Sequence, residues 1–237
     1  MLLALLALTT LTWDPGAESC TAAQARVETR RYDQHTYVIR QNPCVDPEAN
    51  LIYLLAGERR ALLIDSGAVE DAAATVAAVK TALNDMGAGN LPLLVVHTHR
   101  HFDHRAGDAA FAGVPNTQVA PIDSAPARAF LGFRHWPDDL ATIDLGNRVL
   151  DLIATPGHHE DHVVFYDRNT RLLFSGDFLL PGRLLVSDLD AYRASARRVA
   201  AFVAAHPLSQ VCSAHIELDA SGELFAWGST LHVNERT

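Results

Sequence analysis

From residue 36 the chain sets short apolar runs apart with polar and glycine-bearing turns. "TYVIR" (36–40), "NLIYLLAG" (50–57) and "ALLIDSG" (61–67) are three such runs, and each reads as a β-strand. Residues 69–86 change period: Val69, Ala72, Val76, Val79, Leu83 and Met86 recur every three or four positions. That is one stripe on a helix, and Gly87 and Gly89 supply its end. "LPLLVVH" (91–97) is almost wholly apolar, the pattern of a strand covered on both faces. The second half predicts strands near 117–121, 148–154, 162–167 and 171–175, the last two joined by the turn "DRNT". A helix over 189–205 follows, with Tyr192, Ala196, Val199 and Val203 on one face, and then a strand at 209–214. Strands, helix, strands, helix predict an α/β fold of two sheets held between helices. The stretch 125–140 has two readings. It is either a helix packing Phe130, Phe133 and Trp136 on the core, or the wall of a substrate cleft.

With 237 residues, 49% of them hydrophobic, the chain fills one large α/β core, and no linker or repeat divides residues 26–237. A net charge of −9 and the lack of any Lys/Arg-rich run argue against nucleic acid as a partner. Residues 1–25 form a candidate signal or N-terminal extension. "MLLALLALTT" is too short to span a bilayer and is similar to the apolar part of a secretory signal, with a small-residue cleavage site near Ala25 but no charged start. This predicts a periplasmic or secreted protein, with the cytoplasm as the alternative. A Cys20–Cys44 disulfide would suit export, yet cleavage at Ala25 would remove Cys20, so only one of the two can hold. The sequence leaves the oligomeric state open.

The chemistry concentrates in "VVHTHRHFDHRAGD" (95–108), where four histidines and two aspartates follow an apolar strand. His99, His101 and Asp103 occupy every second position and leave an extended segment on one side, with His104 next in line. Two metal ions sharing one loop fit this spacing, one taking His99 and His101, the other Asp103 and His104. Each needs further ligands from elsewhere in the chain. Three later strand ends offer them: His158 in "TPGHHEDH", Asp177 in "LLFSGDF" and His215 in "VCSAHIE".

With H-x-H-x-D-H, then "PGH", "GD" and a last histidine in this order, the chain resembles the metallo-β-lactamase-fold hydrolase superfamily over about residues 30 to 220. The resemblance implies an αββα four-layer sandwich, two mixed sheets flanked by helices, with a metal centre at one edge. It places His99, His101 and His158 on one ion and Asp103, His104 and His215 on a second, with Asp177 bridging. Two zinc ions are the expected cofactor, though iron or manganese accepts the same ligands. Two cations sharing a water would make hydroxide available near neutral pH for attack on a polarised carbonyl, with Asp103 orienting the nucleophile or moving its proton.

The remaining candidates are supporting ones. Similar sequences carry an aspartate where Asp65 stands, which suggests a structural role beside the metal loop. His97 is expected to support the ligands or pack in the core, and His159 and His162 to support ligands or meet substrate. His35, His135, His206 and His232 are expected at the surface or in loops. Arg183, behind the metal edge, could clamp a substrate carboxylate, with Trp136 and Phe133 as a cleft wall.

The best-known zinc β-lactamases have a cysteine where Asp177 stands, whereas glyoxalase II-like hydrolases have the aspartate. Only 22 residues follow His215, too few for the C-terminal helical region of glyoxalase II. The substrate is therefore expected to be a small-molecule ester, thioester, lactone or amide. β-Lactam hydrolysis is the alternative, and a persulfide dioxygenase with one iron is the alternative from another class. A binding protein without turnover is disfavoured because all seven ligand positions are filled.

Overall fold

A computed structural model describes residues 12–235, and the apolar run that opens the candidate signal lies outside them. The first sheet holds β1 (Val27–Asp33), β2 (Thr36–Gln41), β3 (Leu51–Ala56), β4 (Ala61–Ile64), β5 (Leu93–Val96) and β6 (Thr117–Val119), in that spatial order. β1 to β4 pair antiparallel, and β4, β5 and β6 pair parallel. The helix α1 (Ala73–Asp85) makes the crossover from β4 to β5 that parallel pairing requires. The short helices α2 (Phe102–Arg105) and α3 (Asp108–Ala112) follow β5. The second sheet runs β11-β10-β9-β8-β7, from β7 (Leu140–Asp144), β8 (Val149–Ala154), β9 (Val163–Asp167), β10 (Leu172–Gly176) and β11 (Gln210–Ser213). Only β10 and β11 pair parallel, with α5 (Leu189–Ala205) as their crossover.

Three apolar clusters show why this is a four-layer stack. Between the sheets, Leu55, Leu62, Leu150, Phe165 and Phe174 are among the side chains fully removed from water. Outside the first sheet, Ile39, Leu63 and Val95 meet Val79 and Leu83 of α1 and Phe111 of α3. Outside the second, Ile153, Val164 and Tyr166 meet Val199 and Phe202 of α5. Each such side chain contributes roughly 1.5–3 kcal/mol by leaving water.

The expected helix at 69–86 is shorter by four residues at its start: Ala72 caps it and Val69 precedes it. Two strands escaped the apolar pattern, β1 and β7, and both are sheet edges. The stretch 125–140 is only partly helical. α4 (Ser124–Phe130) ends early, Phe133 is buried in the inter-sheet core, and Trp136 packs edge-on against it at 5.0 Å. Cys20 and Cys44 are joined as a disulfide, and Trp13 packs on the inter-sheet core, so cleavage near Ala25 would cut away part of the folded domain.

Candidate metal centre

All the ligand-type residues sit where strands end at one edge of the stack. β5 leads into the loop of His99 and His101 and then α2 with Asp103 and His104, β8 into His158, β10 into Asp177 and β11 into His215. The loop owes its shape to Asp65, which follows β4 with a left-handed φ of 67°. Its carboxylate accepts the Thr98 N–H at 2.7 Å, the Thr98 hydroxyl at 3.0 Å and the His104 Nδ1–H at 2.9 Å. Val163 N–H donates to the Thr98 carbonyl at 2.7 Å and so ties the loop to the second sheet.

The seven residues fall into two groups. In the first, His101 Nδ1 lies 2.9 Å from His99 Nε2 and 3.0 Å from His158 Nε2, and the latter two are 3.2 Å apart. Nitrogens bound to one tetrahedral zinc at about 2.0–2.1 Å would be roughly 3.3 Å apart. In the second, His104 Nε2 is 2.9 Å from Asp103 Oδ2 and 3.4 Å from Asp177 Oδ1. His215 Nε2 is 3.5 Å and 3.2 Å from the same two oxygens. The other oxygen of Asp177, Oδ2, is 3.5 Å from His158 Nε2. One carboxylate therefore faces both groups.

Three atoms at the centre test whether metal fits. His104 Nε2, His215 Nε2 and Asp177 Oδ1 are buried without a hydrogen-bond partner among the described residues. Such orphans are costly, and here they converge on each other. A cation satisfies them all at once. The opposite ring nitrogens are occupied: His104 Nδ1 by Asp65, His158 Nδ1 by the Leu185 carbonyl at 2.7 Å, and His215 Nδ1 by the Glu48 carbonyl at 3.0 Å. Each bond fixes the tautomer that leaves Nε2 free to ligate.

Electrostatics follow from burial and from this crowding. Burial holds His99 and His162 well below the usual imidazole range. For His104 and His215 the charge of Asp177 outweighs burial and raises them. Asp103 and Asp177 stay well below the usual carboxylate range despite burial, because His104 and His215 face them.

Among the supporting candidates, His162 donates from Nδ1 to the Thr155 hydroxyl at 2.7 Å, and its Nε2 accepts the Asp177 N–H at 3.2 Å. Gly176 makes this approach possible. It has φ 51°, and a Cβ there would meet Thr98 Cβ at 2.7 Å and His162 Nε2 at 2.9 Å. Gly157 plays the same part before His158: with φ 146°, a Cβ would strike the Tyr192 Cα of α5 at 2.5 Å. His159 receives the Arg100 Nε–H at 3.3 Å, and burial with the neighbouring His101 lowers it to about 4. His97 turns away to Asp108 at 2.8 Å. His232, expected at the surface or in a loop, lies in a loop but is buried beside Arg40 and Glu235. Arg183 is already engaged: it donates to the Phe225 carbonyl at 2.6 Å, lies 3.5 Å from Glu217 and stacks over Trp227. The Leu185 and Glu48 carbonyls escaped sequence reading because a backbone oxygen leaves no mark on residue type.

The family model described as the metallo-beta-lactamase superfamily matches residues 45–215. The chain belongs to that superfamily. Relatives of the chain include proteins named as hydrolytic enzymes, and it is an enzyme of that kind. It is 27% identical over 211 residues to an acyl-coenzyme A thioesterase, MBLAC2, of Gallus gallus, covering 75% of this chain and 76% of the relative. It is 30% identical over 156 residues to a hydroxyacylglutathione hydrolase of Aeromonas hydrophila, covering 64% of this chain and 56% of that one. The chain thus spans little more than half of the second relative. Among solved structures, a metallo-beta-lactamase from Pontibacter korlensis superposes with a TM-score of 0.59 at 20% identity, covering 80% of this chain and 91% of the other. That likeness is one of fold.

Proposed function

We propose that this superfamily hydrolase is a two-zinc enzyme that cleaves a thioester of a small acyl group. The observation that carries the two-ion reading is Asp177, whose two oxygens face the two ligand groups from one position. One iron would leave His104 Nε2 and His215 Nε2 orphaned, which disfavours the dioxygenase alternative. The thioester reading rests on two relatives, whose names point to acyl derivatives of coenzyme A and of glutathione. Both are thiols.

The bound cations would supply Lewis acidity for the acyl carbonyl and activation of water. His99, His101 and His158 would hold one, and Asp103, His104 and His215 the other, with Asp177 between them. Asp65, Leu185 and Glu48 keep the rings aimed. Asp103 is the most open member of its group, its side chain 26% exposed, so its carboxylate can accept a hydrogen bond from the attacking water. Water adds to the carbonyl, the carbon–sulfur bond breaks, and a carboxylic acid and a thiol leave.

Elemental analysis of protein purified without added metal should find about two zinc ions per chain. Turnover should favour a coenzyme A thioester over a nitrophenyl ester, a lactone and a chromogenic β-lactam. His101→Ala should lose metal and turnover together. One iron with no hydrolysis overturns the reading, and preference for the β-lactam moves the substrate elsewhere.

A further inference from the structure

Among the described residues, the segment after β11 forms no helix and joins neither sheet, yet it is pinned at its start and again near Glu235. It leaves His215 and runs to Glu235, the last described residue, whose carboxylate is buried against Arg40 and lies 3.1 Å from His232 Nδ1. This strap closes over the β2–β3 loop and leaves a cleft of about 210 Å³ lined by Asp46, Glu48, Arg183, Phe225 and Trp227. None of the seven candidate ligands lines the cleft, but it lies one residue away from them. Glu48 gives its carbonyl to His215, and Ile216, the next residue, is part of the lining. Trp227 is 70% exposed, with the Arg183 guanidinium 5.5 Å from its ring centre. A large exposed indole on a pinned strap is a ready aromatic surface.

Charge differs between the two flanks of the centre. On the strap side stand Asp46 and Glu48, neither within 4 Å of a lysine or arginine among the described residues, while Arg183 is already taken up by Glu217 and the Phe225 carbonyl. On the His99 side, Arg100, Arg105 and Arg128 line a small hollow. Arg100 and Arg128 pair with Glu160 and Asp161, whereas Arg105, which donates from Nε to the Arg100 carbonyl at 3.1 Å, has no carboxylate within 4 Å among the described residues. An anionic group is repelled at the first flank and attracted at the second.

We propose that the substrate lies across the metal centre with its uncharged acyl group in the strap cleft against Trp227, and its anionic thiol portion toward Arg105. This rests on the thioester reading above and adds a direction to it. It makes Trp227 the residue that sets acyl size.

The test uses the full chain loaded with zinc. Acetyl- and phenylacetyl-coenzyme A are compared with the same acyl groups on N-acetylcysteamine, an uncharged thiol. Trp227→Ala should raise KM for the phenylacetyl thioester about tenfold more than for the acetyl one, the loss expected for an aromatic contact. Trp227→Phe should restore most of it. Arg105→Glu should raise KM for the coenzyme A thioesters several-fold relative to their N-acetylcysteamine counterparts. Equal effects on both acyl groups, or on both thiols, overturn the orientation. If the wild type cleaves no thioester, the thioester reading falls, and the acyl cleft is judged by binding instead. Neutral phenylacetamide should then quench tryptophan fluorescence in the wild type and not in Trp227→Ala, and no quenching overturns the cleft.

Discussion

Asp65 touches no candidate ligand except through His104, yet it holds that ring, the Thr98 hydroxyl and the Thr98 N–H together. Asp65→Asn keeps the volume but puts an amide where the His104 Nδ1–H needs an acceptor. Zinc affinity should weaken by roughly 10- to 100-fold, as read by competition with a chromogenic chelator. Cys212 makes a different point at this scale. Burial pushes its thiol up to about 12, so it stays protonated at ordinary pH. A thiol reagent at pH 8 should leave it unmodified in the native protein and modify it after denaturation. Because its folded value lies above the unfolded one near 8.5, its contribution to stability is complete below about pH 8.5 and is lost as pH rises toward 12. Tyr53, raised well above the usual phenol range by burial, adds to the same decline. Equilibrium unfolding between pH 8 and 11 should show it. The candidate ligands could be named from the sequence because metal chemistry restricts residue type and most of them sit just past an apolar strand. The bonds that aim them were not, since two of the acceptors are backbone oxygens.

At the level of elements, interior strands were legible and the edges β1 and β7 were not. A central strand such as β5 is covered on both faces and reads as an apolar run. "VETRRYD" of β1 is mostly half-buried, and "LATID" of β7 buries only every second residue, so neither makes a run. The contacts between elements were equally silent. Arg148 donates to the His35 and Ala56 carbonyls at 2.8 Å and 3.2 Å, to the Thr36 hydroxyl at 2.8 Å and to Asp167 at 2.6 Å. It clamps the two sheets at the edge opposite the ligands, with Asp167 fully buried. Arg148→Met should cost about 3–5 kcal/mol, because it strands that carboxylate without its partner. Urea unfolding should show a lower midpoint with an unchanged slope, and metal content should hold.

For the whole molecule, the described segments nearest the two termini are tied to each other and to the first sheet. Gly16 bridges Leu231, Arg40 takes the Asp14 carbonyl and Glu235, and Cys20 joins Cys44. A covalent loop of this span stabilises by about 3–4 kcal/mol on the chain-entropy account, and such bridges persist in oxidising compartments. Reduction should lower the melting temperature by several degrees. If a leader is removed on export, N-terminal sequencing should place the new terminus ahead of Trp13, since that residue packs on the core.

The candidate ligands come from both sheets: His99, His101, Asp103 and His104 from the first, His158, Asp177 and His215 from the second. Neither half alone can chelate an ion as the pair does. Loading is thereby a certificate of completed assembly, and a chain whose sheets have not docked has nothing to load. By mass action, ions that bind only the docked form hold it together. In a cell short of the metal, such a protein would become scarcer by proteolysis as well as idle, so supply of the metal would govern its abundance.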